Sequence, residues 1–114
     1  MTDATPFQLG PIGDRVLFED DKVRVWEMLL EPNERSSVHH HAHDYVIVVL
    51  EGDHVTVEPA PGSEERSGEG YGSLVVTPGE AVALHNGATE VAINSGKLRY
   101  RDIQIEFLDQ PLSI

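Results

Sequence analysis

The chain has 114 residues, no cysteine, 39% hydrophobic content and a formal charge of −12 from twenty acidic against eight basic residues. That length holds one core but not two, and the missing cysteines exclude disulfides and thiolate metal sites. The acidic balance repels phosphate backbones and anionic headgroups, so neither nucleic acid nor a membrane is an expected partner. No apolar run approaches the ~18 residues of a membrane span. The first residues lack the basic and apolar stretches of a secretory signal, which makes the cytoplasm the default location.

Residues 1–14 read as an N-terminal arm to a single domain spanning 1–114, and Phe7, Leu9 and Ile12 are available on it for docking. Val23–Leu30 is rich in β-formers and ends at Glu31-Pro32-Asn33-Glu34, a turn in which Asn33 can take positive φ. Ser36–Ala42 carries a histidine run, and Tyr45–Leu50 and His54–Glu58 flank the hairpin signal Glu51-Gly52-Asp53. Pro59–Gly72 is rich in Gly, Ser, Glu and Pro and reads as a long surface loop. Ser73–Thr77, Ala81–His85 and Glu90–Ile93 follow as strands, joined by Pro78-Gly79-Glu80 and Asn86-Gly87-Ala88. The turn Asn94–Lys97 leads into Leu98–Leu108, where Ile103, Ile105 and Phe107 fall on one face and Gln104 and Glu106 on the other. Trp26, Phe18 and Phe107 read as core. Turn residues recur throughout and no helical periodicity competes. The pattern predicts an all-β domain of eight or more antiparallel strands, which must close on themselves or pack as two sheets. A jelly-roll barrel satisfies that demand.

Four histidines lie within five residues, at 39, 40, 41 and 43. On an extended chain His39, His41 and His43 share one face and His40 turns to the other. An ion with bonds of about 2.0–2.1 Å cannot reach all three, because i to i+4 spans roughly 13 Å. Two of the three are expected to bind, with a further ligand from elsewhere. The alternative is two polar strand residues that face solvent or pair with acidic neighbours. His40 and His54 are expected to face solvent.

These residues resemble the cupin family, small jelly-roll barrels (double-stranded β-helices) that typically hold one divalent metal ion. The family's first motif, G-x5-H-x-H-x3,4-E-x6-G, fits His39, His41 and Gly52 in spacing, with Asn33 at the first glycine position and Tyr45 at the glutamate position. The resemblance therefore selects His39 and His41, and leaves His43 close to the place of the missing glutamate. The second motif, G-x5-P-x-G-x2-H-x3-N, fits Gly72 and Pro78, but its histidine position falls on Ala83. Anchoring instead on Asn94-Ser95-Gly96, before a last strand reading Ile103-Gln-Ile-Glu106, makes Glu90 the replacement for the family histidine. His85, one strand earlier, is a further candidate imidazole. With Glu90 facing inward, His39, His41 and Glu90 compose a two-histidine, one-carboxylate set of the kind associated with non-haem iron.

The resemblance implies a divalent metal ion (Fe, Zn, Ni or Mn) held by His39 and His41 with His43, His85 or Glu90. It also implies a small-molecule ligand in the barrel and a homodimer. The leading functional expectation is a metal-dependent enzyme, of oxygenase or isomerase/lyase type, acting on a small polar molecule. Tyr45, or Glu90 where it is not a ligand, would then serve as proton donor or acceptor. The alternatives are a non-catalytic binder or sensor with an altered or lost metal site, and a degenerate barrel whose role is assembly.

Overall fold

The computed structural model describes residues 8–60 and 72–112. Among them are nine strands and no helix: β1 (Arg15–Glu19), β2 (Val23–Leu30), β3 (His39–His40), β4 (Tyr45–Glu51), β5 (His54–Pro59), β6 (Gly72–Val75), β7 (Ala81–Leu84), β8 (Thr89–Ile93) and β9 (Tyr100–Phe107). One sheet runs β1-β2-β9-β4-β7 and the other β3-β8-β5-β6. Every pairing is antiparallel. The all-β jelly-roll expectation holds. Among the described residues no helix is long and apolar enough to cross a membrane.

The turns carry out what their residues allow. Asn33 adopts φ 74° and Gly52 φ 131°. Gly52 is required for a second reason, since a Cβ there would meet Tyr100 Cδ1 at 2.9 Å. Asn94 is fully buried, donates through Nδ2 to the carbonyls of Leu30 (2.8 Å) and Leu98 (2.9 Å), and accepts from the Gly96 amide (2.9 Å). One side chain thereby ties the end of β2 to the β8–β9 turn.

Several expectations need correction. β1 is a strand that the sequence did not announce. All five of its residues are exposed, and a register shift between Val16 and Phe18 breaks its alternation. Phe18, expected in the core, is 55% exposed, while Trp26 and Phe107 are half-buried. Within the stretch 36–42 only His39 and His40 are strand. The flanking chain still follows β8 through an Arg35–Ile93 bridge and the Ser36–Ala92 and His41–Ala88 backbone bonds. Of the expected loop, Pro59 closes β5 and Gly72 opens β6, and residues 61–71 lie outside the described residues. On the N-terminal arm Leu9 is exposed, but Ile12 is buried in its own chain, where the Gly10 amide bonds the Val38 carbonyl at 2.8 Å. Ile12 is therefore not available to a partner, and Phe7 lies outside the described residues.

The last strand holds the largest surprise. Tyr100, Asp102, Gln104 and Glu106 are buried, whereas Ile103, Ile105 and Phe107 are only half-buried. Cross-strand partners share a face, so the pairs Leu30–Tyr100, Met28–Asp102, Trp26–Gln104 and Arg24–Glu106 all point into the barrel. A carboxylate survives there only when paired. Glu106 accepts from Trp26 Nε1 (2.7 Å) and Arg24 (3.2 Å). The apolar core is correspondingly lean: Met28, Leu30, Val49, Val55, Ala92 and Tyr100, with Ile47, Val57 and Val76 packed against them.

Replacing Asn94 with Ala would strand two carbonyls and one amide in the interior. A loss of about 2–4 kcal/mol is expected in urea unfolding, against less than about 0.5 kcal/mol for Ser95→Ala at the exposed neighbouring position.

Candidate metal centre

The site begins with strand register. β3 pairs β8 with His39 opposite Glu90 and His40 opposite Thr89, so His39 and Glu90 project from one face and His40 and Thr89 from the other. His40 is exposed and bonds Thr89 Oγ1 at 2.8 Å. Two residues on, His41 returns to the inner face, its backbone fixed by the Ala88 carbonyl (2.9 Å) and the Gly87 amide (2.8 Å).

His39 and His41 are buried to 2% and 1% exposure, and Glu90 to 7%. His41 Nε2 lies 3.3 Å and His39 Nε2 3.8 Å from Glu90 Oε2. The three ligand atoms fall within 4.8 Å of one another, and they are the only such group among the described residues. Two donors each about 2.1 Å from one ion stand roughly 3.0–3.4 Å apart at angles of 90–110°; the His41–Glu90 pair meets that spacing and the His39–Glu90 pair is wider.

Two further observations test the fit. His39 Nδ1 lies 2.8 Å from the Ser37 carbonyl. A carbonyl only accepts, so Nδ1 carries the proton and Nε2 is the atom left to ligate, as in many metal-bound imidazoles. Glu90 Oε1 is buried without a hydrogen-bond partner, a costly arrangement unless something else engages that carboxylate. The residues therefore fit a divalent cation. Burial raises the Glu90 pKa, but when His39 and His41 are protonated their hydrogen bonds and charge more than offset it and hold the group at about 2 in the metal-free protein. A carboxylate held in that way is ionised, as a ligand must be.

Tyr45 is fully buried, its ring stacked on His41 with centroids 3.9 Å apart and planes 4° from parallel. His39 meets His41 edge-on at 4.9 Å and 88°. The tyrosine at the family's glutamate position therefore braces a histidine. His43 and His85 are not brought to the triad. Both line a separate cavity of about 430 Å³ with Asp44 and Asn86. His85 is largely exposed, with Nδ1 3.5 Å from Asp44 Oδ2. Backbone amides of Asn86 and Leu112, with His85, hold Asp44 below the usual carboxylate range against the effect of burial.

The triad opens onto a cavity of about 390 Å³ between the sheets, whose walls also carry Tyr45, Asp102 and Gln104. Asp102 accepts from the Tyr100 hydroxyl (2.5 Å) and the Gln104 amide (3.3 Å). The sequence reading passed over Asp102 and Gln104. Burial pushes the Asp102 pKa up to about 6, with Tyr100 and Gln104 opposing it.

No family model matches the chain, and no curated protein matches it. Solved structures do. A cupin domain from Bordetella pertussis Tohama I matches at 22% identity and TM-score 0.66, over 82% of this chain and 88% of that one. A double-stranded β-helix protein from Klebsiella pneumoniae MGH 78578 matches at 16% and 0.63, over 98% and 92%. A cupin superfamily protein from Desulfitobacterium hafniense DCB-2 matches at 14% and 0.58, over 89% and 84%. At these identities the likeness concerns the fold, which is the cupin double-stranded β-helix.

Asp102 generates a stability prediction. Its folded pKa lies above the unfolded value of about 3.9. Its contribution is therefore most favourable when protonated, declines as pH rises from about 4 to 6, and stays at its low level above that. Asp102→Asn keeps an acceptor for Tyr100 and removes the buried charge, so the variant is expected to gain up to about 3 kcal/mol over the parent at pH 7.5. The gain should shrink at pH 4.5. Equal differences in urea unfolding at the two pH values would contradict the assignment.

Proposed function

We propose that the protein is a metal-dependent enzyme of oxygenase or isomerase/lyase type acting on a small molecule inside the barrel. The convergence of His39 Nε2, His41 Nε2 and Glu90 Oε2 on one point of the cavity wall carries this reading. His39, His41 and Glu90 would hold the ion, and His43 and His85 would not. The donor set suits Fe(II) and also accommodates Zn, Ni or Mn. A bound ion of this kind supplies Lewis acidity, or redox chemistry when it is iron.

The chain's own residues do the rest. Tyr45 holds the His41 ring in plane by stacking. The Ser37 carbonyl fixes the His39 tautomer. Apolar side chains from both sheets line most of the cavity, and Asp102 stands in it as a carboxyl able to take or give a proton near neutral pH. With Glu90 engaged as a ligand, the proton-handling role first considered for it passes more naturally to Asp102, and that considered for Tyr45 becomes positional.

The test is metal content of untagged protein with its variants. His39→Ala, His41→Ala and Glu90→Gln are expected to lower stoichiometric metal binding at least tenfold. His40→Ala and His43→Ala should leave it unchanged. Equal behaviour of the His39 and His40 variants would overturn the site, and wild-type protein that takes up no metal would favour the non-catalytic binder.

We further propose a homodimer. The outer face of the five-stranded sheet supports it, because Phe18, Val25, Ile105, Val46 and Ala83 form one continuous cross-strand row. Light scattering at micromolar concentration is expected to give about twice 12.6 kDa, and Phe18→Asp to return the monomer value. Monomeric wild-type protein would refute it.

A further inference from the structure

Which molecules the barrel accepts is written in a feature of β9 that the metal reading does not use. The Asp102 carboxylate accepts from Tyr100 on one side and from Gln104 Nε2 on the other. A carboxylate cannot donate, so the Gln104 amide must turn its NH2 toward Asp102 and its carbonyl away. That carbonyl oxygen, Oε1, is buried and has no hydrogen-bond partner, on a side chain only 4% exposed that lines the cavity. An acceptor held in place and left unsatisfied asks for a donor from whatever enters.

The rest of the wall narrows the choice. Val49, Val55, Val57, Leu74 and Val76 supply apolar surface, and the acidic groups are Glu80, Glu90 and Asp102. No Lys or Arg lines the cavity among the described residues. In the metal-free protein an anion would meet carboxylates with no cationic side chain to balance it, and its own oxygens could not satisfy another acceptor.

We propose that the metal-free cavity takes a small, mainly apolar molecule, uncharged or cationic, that donates a hydrogen bond from a hydroxyl, amide or amine to Gln104 Oε1. Asp102 and Tyr100 are positioning residues that aim that oxygen. The proposal deepens the reading of the barrel as a small-molecule site and rests on it, but it does not rest on the ion.

The test uses EDTA-dialysed full-length protein at pH 8, titrated with cyclohexylmethanol, cyclohexylmethylamine and cyclohexanecarboxylate while 1H–15N amide shifts are followed. The three probes share one apolar body and differ in the polar group. Saturable shifts at Val55, Val57 and Ala92 are expected with the alcohol and the amine, and at least tenfold weaker binding with the carboxylate. Gln104→Met should weaken the alcohol about tenfold, the effect of one buried hydrogen bond to an otherwise orphaned group. Val57→Phe should block all three by filling the cavity. Equal affinity for the carboxylate, unchanged alcohol affinity in Gln104→Met, or no saturable shift in the wild type would overturn the proposal. Should Gln104→Met not fold, the probe series and Val57→Phe decide it. Because the titration is free of metal, a protein that prefers donors yet binds no ion would retain this inference while losing the metal reading.

Discussion

A slip of one residue between β3 and β8 would turn His39 and His41 to solvent and bring His40 into the barrel, because side chains alternate strictly along a strand. The site therefore depends on a ladder only two residues long, between His39–Glu90 and His40–Thr89. So short a ladder does not fix its own register. The Ser36 and His41 amides extend the attachment to Ala92 and Ala88, the Arg35–Ile93 bridge anchors its far end, and the Asn33 and Asn94 backbones lock the turn before it. The metal-type geometry is thus set by backbone bonds outside the strand that carries the ligands.

The same arrangement explains why the interior is poor in apolar residues. Glu90, Asn94, Asp102, Gln104 and Glu106 are all buried, and each displaces a position that a purely structural barrel would fill with Val or Leu. Glu106 and Asn94 are matched with donors and acceptors and hold the frame. Glu90 and Gln104 keep one atom each unmatched, and both line the cavity. The matched polar groups frame the barrel, and the two with an unmatched atom line its cavity.

How much of this was legible in the sequence follows from the kind of signal each element carries. Strand β2 was readable to the residue and β4, β5, β7 and β8 nearly so, since turn residues bracket dense β-formers. His39 and His41 followed from alternation together with the resemblance to the family motif that ends at Gly52, whose positive φ and contact with Tyr100 make glycine necessary. Glu90 came only from the Asn94 anchor, because nothing local distinguishes an inward carboxylate. β9 showed its alternation but not its phase. Hydrophobicity assigns Ile103, Ile105 and Phe107 to the core, whereas the pairing of β9 with Met28 and Leu30 of β2 puts Asp102 and Tyr100 there. Phase of that kind is a long-range fact, set by a partner more than seventy residues away, and no window along the chain contains it. β1 escaped notice because its bulge erased the period that would have marked it.

One opening in the barrel has a kinetic meaning. β6 pairs only with β5 and β7 only with β4, so the two sheets present unjoined edges to each other, with Leu74 of one and Val82 of the other on the cavity wall. Within either sheet, widening the cavity would mean breaking ladder hydrogen bonds, a sub-global event of appreciable free energy. Between β6 and β7 no ladder bond is present among the described residues. A molecule of the kind proposed for the cavity would need only side-chain rotation to pass there, a motion of the nanosecond scale, while the register that holds His39 across from Glu90 stays intact. Its residence time would then follow from its own fit to the walls.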